Sequence, residues 1–105
     1  MDMMKMFGKV KEVQAKMKEA QDNLVHLKAD AESGGGMVKA TVNGNKQLVA
    51  LDIDKDLLKP EDVQMLQDLV VAAVNKAMEK IEEQIKSHLQ KYTDGLLPNM
   101  PDLNF

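Results

Sequence analysis

The sequence contains no cysteine and no tryptophan, and every one of its basic residues is a lysine. Without cysteine there is no disulfide framework, no thiolate metal site and no cysteine nucleophile, which fits a reducing compartment. Aromatic residues are nearly absent: Phe7, Tyr92 and Phe105 are the whole set. No run of about 20 apolar residues occurs, so a helical membrane span is excluded. The first residues, Met-Asp-Met-Met-Lys-Met-Phe-Gly-Lys, are broken by charge every few positions and hold no apolar core of a secretory signal, so the expected location is the cytoplasm. Arginine forks are missing and the net charge is −3. Composition alone therefore counts against a strong nucleic-acid binder.

With 105 residues the chain is one domain. We expect a single α+β unit over residues 1–95 and a flexible, proline-containing tail over 96–105 that holds Pro98 and Pro101. The scarcity of aromatics, and more apolar helix surface than one small sheet can cover, predict a core shared between two copies.

The clearest pattern lies between Met3 and Ala31. Met3, Met6, Val10, Val13, Met17, Ala20, Leu24, Leu27 and Ala31 follow a 3-4-3-4 spacing without exception. That is the a/d seam of about four heptads and predicts one helix of roughly 40 Å. Lys9 and Lys16 flank it at g, and Gln14 and Gln21 at e. Ser33-Gly34-Gly35-Gly36 ends this helix and reads as a flexible joint.

Two strands follow. Val38, Ala40 and Val42 alternate with polar residues, as do Val49, Leu51 and Ile53 after the Asn43-Gly44-Asn45 turn signal. A connection over residues 43–46 sets Val49 opposite Ala40 and Leu51 opposite Val38. Pro60 with Glu61 and Asp62 opens a second long helix that runs to Tyr92 or Thr93. Its apolar stripe is Val63, Leu66, Val70, Ala73, Val74, Ala77, Ile81, Ile85 and Leu89. From both halves, Val10, Val13, Met17, Leu24, Leu27, Val38, Val42, Leu51, Leu66 and Val70 are the expected packing and dimer residues.

Few residues suggest chemistry. Asp52-x-Asp54-x-Asp56 imitates the start of a calcium loop, but the sixth and twelfth positions hold Leu57 and Val63 where Gly and Glu are required. The glycine run does not lead from a strand into a helix, as a phosphate loop would. His26 and His88 stand alone, and Ser33 and Ser87 lie in no nucleophile elbow. No cofactor, metal or small-molecule substrate is expected, and no enzyme activity.

Charge is unevenly placed. Residues 1–20 carry Lys5, Lys9, Lys11, Lys16 and Lys18 against three acids, and residues 84–93 carry Lys86 and Lys91 against none. The remainder is acidic. Solvated helix ends would account for this on charge alone, since lysine near a helix C-terminus also suits the dipole.

The block Ser33-Gly-Gly-Gly-Met-Val-Lys-Ala-Thr-Val-Asn-Gly44, then Val49-Ala-Leu-Asp-Ile-Asp54, Leu57-Leu58 and Asp68-Leu-Val-Val-Ala-Ala-Val-Asn-Lys-Ala77, resembles the YbaB/EbfC family of bacterial nucleoid-associated proteins. The likeness spans nearly the whole chain. It departs at Asp54-Lys55, where the family often has Asp-Pro, and at Asn75-Lys76, where it often has Asn-Asp. The resemblance implies a tweezer-like homodimer with a central sheet and projecting helices, bound to duplex DNA in the nucleoid. The lysine-rich ends fall where such helices meet DNA. Lys5, Lys9, Lys11, Lys16, Lys18, Lys86 and Lys91 are thus the candidate phosphate contacts, with shallow sequence preference. The competing expectation is a protein-interaction module that uses the first helix's seam and the tail, without DNA.

Overall fold

The computed structural model describes residues 3–93; the expected tail over 96–105 lies outside the described residues. The architecture is α+β: helix α1 (Met3–Asp22), strands β1 (Lys28–Ser33), β2 (Val38–Asn43) and β3 (Leu48–Ile53), and helix α2 (Val63–Thr93). The strands form one antiparallel sheet in the order β1-β2-β3.

The first helix is shorter than the heptad spacing predicts. It ends at Asp22, a single 3-10 turn over Leu24–His26 follows, and the chain becomes extended at Leu27. Residues 28–31, expected to complete the helix, belong instead to the edge strand β1, so the sheet is a three-stranded meander and not a bare hairpin. Lys28-Ala-Asp-Ala-Glu-Ser33 alternates polar and small residues, and Ala29, Ala31 and Ser33 are buried while their neighbours are exposed. Sheet pairing wins because β1 aligns fully with β2, from Lys28 opposite Asn43 to Ser33 opposite Val38. Alanine accommodates either structure, and tertiary pairing outweighs its helix preference.

The glycine run is correspondingly a hairpin loop and not a joint out of a helix. Gly34, Gly35 and Gly36 all have positive φ (60°, 66° and 94°). Backbone bonds from Gly36 N to Ser33 O (3.2 Å) and from Met37 N to Gly34 O (3.4 Å) close the turn. Ser33 Oγ donates to the Leu69 carbonyl at 2.6 Å and so ties this loop to α2.

The β2–β3 register also differs from expectation. Ala40 pairs with Leu51 and Val38 with Ile53, with a bulge that lets Val42 pair with Leu48. The turn closes between Asn43 and Gln47, and Lys46 takes the left-handed conformation at φ 60°. Asn43 organises it: its Oδ1 accepts from Asn45 N (2.9 Å) and Gln47 N (3.1 Å). The bulge adds one residue, which keeps Leu51 and Ile53 on the expected face while moving the pairing along.

A 3-10 turn over Pro60–Asp62 precedes α2, which therefore begins at Val63, slightly later than the proline suggests. The helix lies across β1 and β2 and leaves β3 uncovered. Ala29, Ala31 and Ala40 on the sheet meet Ala73 and Ala77 on the helix, all buried. Small residues on both sides let the helix sit close to the sheet without aromatic filler. Val38, Val42, Leu57 and Ile81 are the largest fully buried side chains. Met17, Leu24, Leu27, Leu66 and Val70 are partly buried around them. Among the described residues every buried side-chain polar atom has a hydrogen-bond partner.

Candidate nucleic-acid interface

The path of the chain against α2 fixes the direction of α1. The Ala20 carbonyl lies 3.3 Å from His88 Nε2. The Asp30 carbonyl accepts from Lys80 Nζ at 3.0 Å, and Ser33 bonds to Leu69. Ala20 and Asn23, at the end of α1, meet the last turns of α2 at His88 and Tyr92, and the partners on α2 then fall in number through Asp30 and Ser33. Helix α1 thus runs antiparallel to α2, and its residues before Met17 extend past the Tyr92 end.

Two observations agree. Residues 3–12 are all exposed, whereas Met17 packs on the core and Ala20 is buried. The molecule measures 71 × 22 × 15 Å, well beyond the roughly 46 Å that the 31 residues of α2 span. The N-terminal half of α1 is a projecting arm.

The base of this arm is anchored by polar contacts. Asn23 Nδ2 donates to Tyr92 Oη at 3.2 Å, and Tyr92 stacks edge-on against His88 with ring centroids 5.0 Å apart. Gly44 N donates to the Leu27 carbonyl at 3.0 Å. An added Cβ at Gly44 would lie 2.0 Å from the Leu24 carbonyl oxygen, so only glycine permits the β2–β3 turn to meet the end of α1 here.

On the arm, Lys5, Lys9, Lys11, Lys16 and Lys18 are all exposed. At 3.6 residues per turn, Lys5, Lys9 and Lys16 form one stripe beside the apolar seam, and Lys11 and Lys18 form a second on its other flank. Lys16 also lies 3.8 Å from Glu19, an exposed pair of at most about 1 kcal/mol. Lys86 and Lys91, exposed on the last turns of α2, lie near the base. The seven candidate lysines thus occupy one end of the molecule. Val10 is exposed and Val13 half-buried on the same helix, while Leu51 is exposed on β3.

The other sequence candidates resolve into structural roles. Asp54 Oδ1 accepts from Asp56 N at 2.9 Å and caps the turn after β3. No group of three metal-ligating side chains converges among the described residues. Ser87 and His88 share a shallow cleft with Lys80, Glu83 and Lys91, but His88 is engaged by Ala20 and Tyr92. His26 is exposed in the turn after α1. No described helix is long and apolar enough to cross a membrane.

Asp30 sits on β1 against Thr41 and, at 3.6 Å, Lys39. Its carboxyl is held below the ordinary value, chiefly by the hydrogen bond from Thr41 Oγ1 (2.6 Å) and then by Lys39 and Lys80. This cluster seals the outer edge of β1. Lys80 covers the Asp30 carbonyl, and Lys76 reaches the Glu32 carbonyl at 3.5 Å. No local pattern of residues announces that role, because it depends on α2 lying beside β1.

A slender sheet-and-helix body with a lysine-edged arm matches a known family from residue 1 to residue 96. The chain belongs to the YbaB/EbfC DNA-binding family. A nucleoid-associated protein of Thermoanaerobacter pseudethanolicus is 43% identical over 98 residues, covering 93% of this chain and 86% of that one. A nucleoid-associated protein of Brucella anthropi is 46% identical over 95 residues, covering 90% and 89%. The crystal structure of an uncharacterised protein from Helicobacter pylori superposes with a TM-score of 0.72 at 28% identity, covering 87% of this chain and 96% of that one.

Proposed function

We propose that this YbaB/EbfC chain is a cytoplasmic, nucleoid-associated protein that binds duplex DNA as a homodimer, organising DNA or affecting gene expression. It acts by binding and not by catalysis. The observation that carries this reading is the arm: a helix projecting from the body with lysines on both flanks. Lysine contacts phosphate as a point charge and displaces condensed counterions. No arginine and no aromatic residue other than Phe7 lies on the arm to read bases, so sequence preference is low.

The second copy belongs on β3. This edge strand is uncovered, with Leu51 40% and Val49 48% exposed. Beside it, the flank of α2 away from Lys76 and Lys80 carries half-buried Val70 and Val74. A bare apolar edge favours strand pairing, whereas the β1 edge is closed by lysine. Leu51→Asp should convert the dimer to monomer in sedimentation equilibrium; an unchanged dimer would place the interface elsewhere.

Fluorescence anisotropy with a labelled random-sequence duplex tests the DNA reading. The logarithm of affinity should fall with log salt at a slope of about −0.9 per lysine engaged. Reversing Lys9, Lys11 and Lys16 to Glu should abolish binding while circular dichroism stays unchanged. Equal affinity of that variant would refute the lysine assignment. No binding at low salt, with a nuclease-resistant stoichiometric partner in a pulldown, would favour a protein-interaction module.

A further inference from the structure

The arm presents more than lysines. Viewed down α1 at about 100° per residue, its side chains sort into three sectors. Met3, Met6, Phe7 and Val10 form an apolar strip, and all four are exposed; Met3 is 68% and Phe7 63% accessible. Lys5, Lys9 and Lys16 line one border of the strip, and Lys11 and Lys18 the other. Glu12 and Glu19 lie with Gly8 and Ala15 on the opposite side of the helix. Nearer the base the same seam is already used, since Met17 packs on the core and Ala20 is buried.

An apolar strip bordered by lysine on both sides, with carboxylates turned away, is the pattern of a helix that lies flat in a lipid–water interface. Each sector has its counterpart there. The strip enters the boundary of the acyl chains. The lysine stems run along apolar surface and raise their ammonium groups to headgroup phosphates. The carboxylates stay in water, away from the anionic surface. No described helix is long and apolar enough to cross a membrane, so the arm would lie on a bilayer and not span it.

Other covers match only part of this pattern. A second arm laid on the seam would meet Lys9 and Lys16 at g with Phe7 and Gln14 at e, so no acid stands at either position to pair the lysines. A DNA groove offers the lysines their phosphates, but its floor is a row of donors and acceptors. Met, Phe and Val would leave those groups unpaired. An anionic lipid surface suits the strip and its borders together.

We propose that the arm of α1 is a peripheral binding site for anionic lipid, in which Met3, Met6, Phe7 and Val10 insert into the bilayer surface and the flanking lysines hold headgroup phosphates. The proposal does not rest on the DNA reading: the lysines are shared, the apolar strip is not.

The chain has no tryptophan, so Phe7→Trp places a single reporter on the strip, at a side chain exposed enough that the core is untouched. With vesicles of phosphatidylcholine and phosphatidylglycerol, its emission should shift to the blue and be quenched by lipid brominated in the acyl chains. Vesicles of phosphatidylcholine alone should need about tenfold more lipid for the same shift. In flotation with the mixed vesicles, Met6→Ser/Val10→Ser should need about tenfold more lipid than the wild type, although its charge is the same. No flotation of the wild type would overturn the site. Absent acyl-chain quenching, or a serine variant that floats as well as the wild type, would leave adsorption by lysine alone and overturn the insertion. Emission already blue-shifted before lipid is added would show that protein covers the strip, and a shift with duplex but none with vesicles would give the strip to DNA; both overturn the proposal. Loss of duplex binding in the anisotropy assay would move none of these readouts, so the two readings fail separately.

Discussion

Gly44 offers the sharpest test of how the arm is mounted. A methyl group there would lie 2.0 Å from the Leu24 carbonyl oxygen and 2.7 Å from its carbon, where ordinary contact begins at 3.4 Å. Both atoms are backbone, so no rotamer change relieves the clash. The β2–β3 turn and the end of α1 must separate by more than an ångström, which also pulls Gly44 N–H from the Leu27 carbonyl. Overpacking costs about 1–3 kcal/mol and the lost hydrogen bond about 0.5–1.5 kcal/mol. Gly44→Ala should therefore destabilise the protein by roughly 2–4 kcal/mol, a drop in Tm of about 10–25 °C for a domain of this size.

Gly8 is the internal control. It lies in α1 with nothing within 4 Å of an added Cβ, so Gly8→Ala should stabilise by about 0.5–1 kcal/mol through helix propensity. Thermal unfolding by circular dichroism, at one protomer concentration because a dimer's Tm depends on it, measures both. If Gly44→Ala loses less than about 1 kcal/mol, the turn does not bear on α1 as described.

Further outcomes follow from the β1 edge. Thr41→Val removes the donor that holds the Asp30 carboxyl low, so its pKa should rise toward the ordinary value in an NMR titration. In the wild type the lowered pKa adds stability that is present above the ordinary value of 3.8 and lost as pH falls through the shifted value. The variant should lose part of this acid-side increment, and identical acid-unfolding curves would contradict it. Lys76→Ala/Lys80→Ala uncovers the Asp30 and Glu32 carbonyls and should promote association beyond the wild-type size in light scattering; an unaltered size would show that the lysines do not guard the edge.

The two sheet edges differ in a way that would let the proposed pairing through β3 stop at two copies. On β1, Lys76 and Lys80 occupy outward carbonyls, and each incoming strand would have to displace and desolvate an ammonium group. On β3 no lysine takes a backbone carbonyl among the described contacts, and apolar side chains face out. A pairing that uses β3 from both copies is self-complementary and closes on itself. It leaves both β1 edges sealed and gives the dimer two arms, so DNA could engage lysines from both protomers at once.

How much of this was legible in the sequence varied with the kind of information each residue carries. The α2 stripe was readable because Ala73, Ala77, Ile81, Ile85 and Leu89 recur at helical spacing and are all buried. The lysine clusters at the start of α1 and the end of α2 were visible too, but that antiparallel packing sets both at one end of the body was not. The heptad seam misled beyond Asp22, because Leu24, Leu27 and Ala31 satisfy helical spacing while serving a turn and a strand. Lys28 to Ser33 alternates just as well with period two, and the choice between periods depends on β2 lying alongside. The register of β3 likewise turned on a bulge at Val49 that no local pattern announces. A residue tells its own periodicity; whether a lysine caps a carbonyl of the next element, as Lys80 does for Asp30, is a property of the pair and emerges only once both backbones are placed.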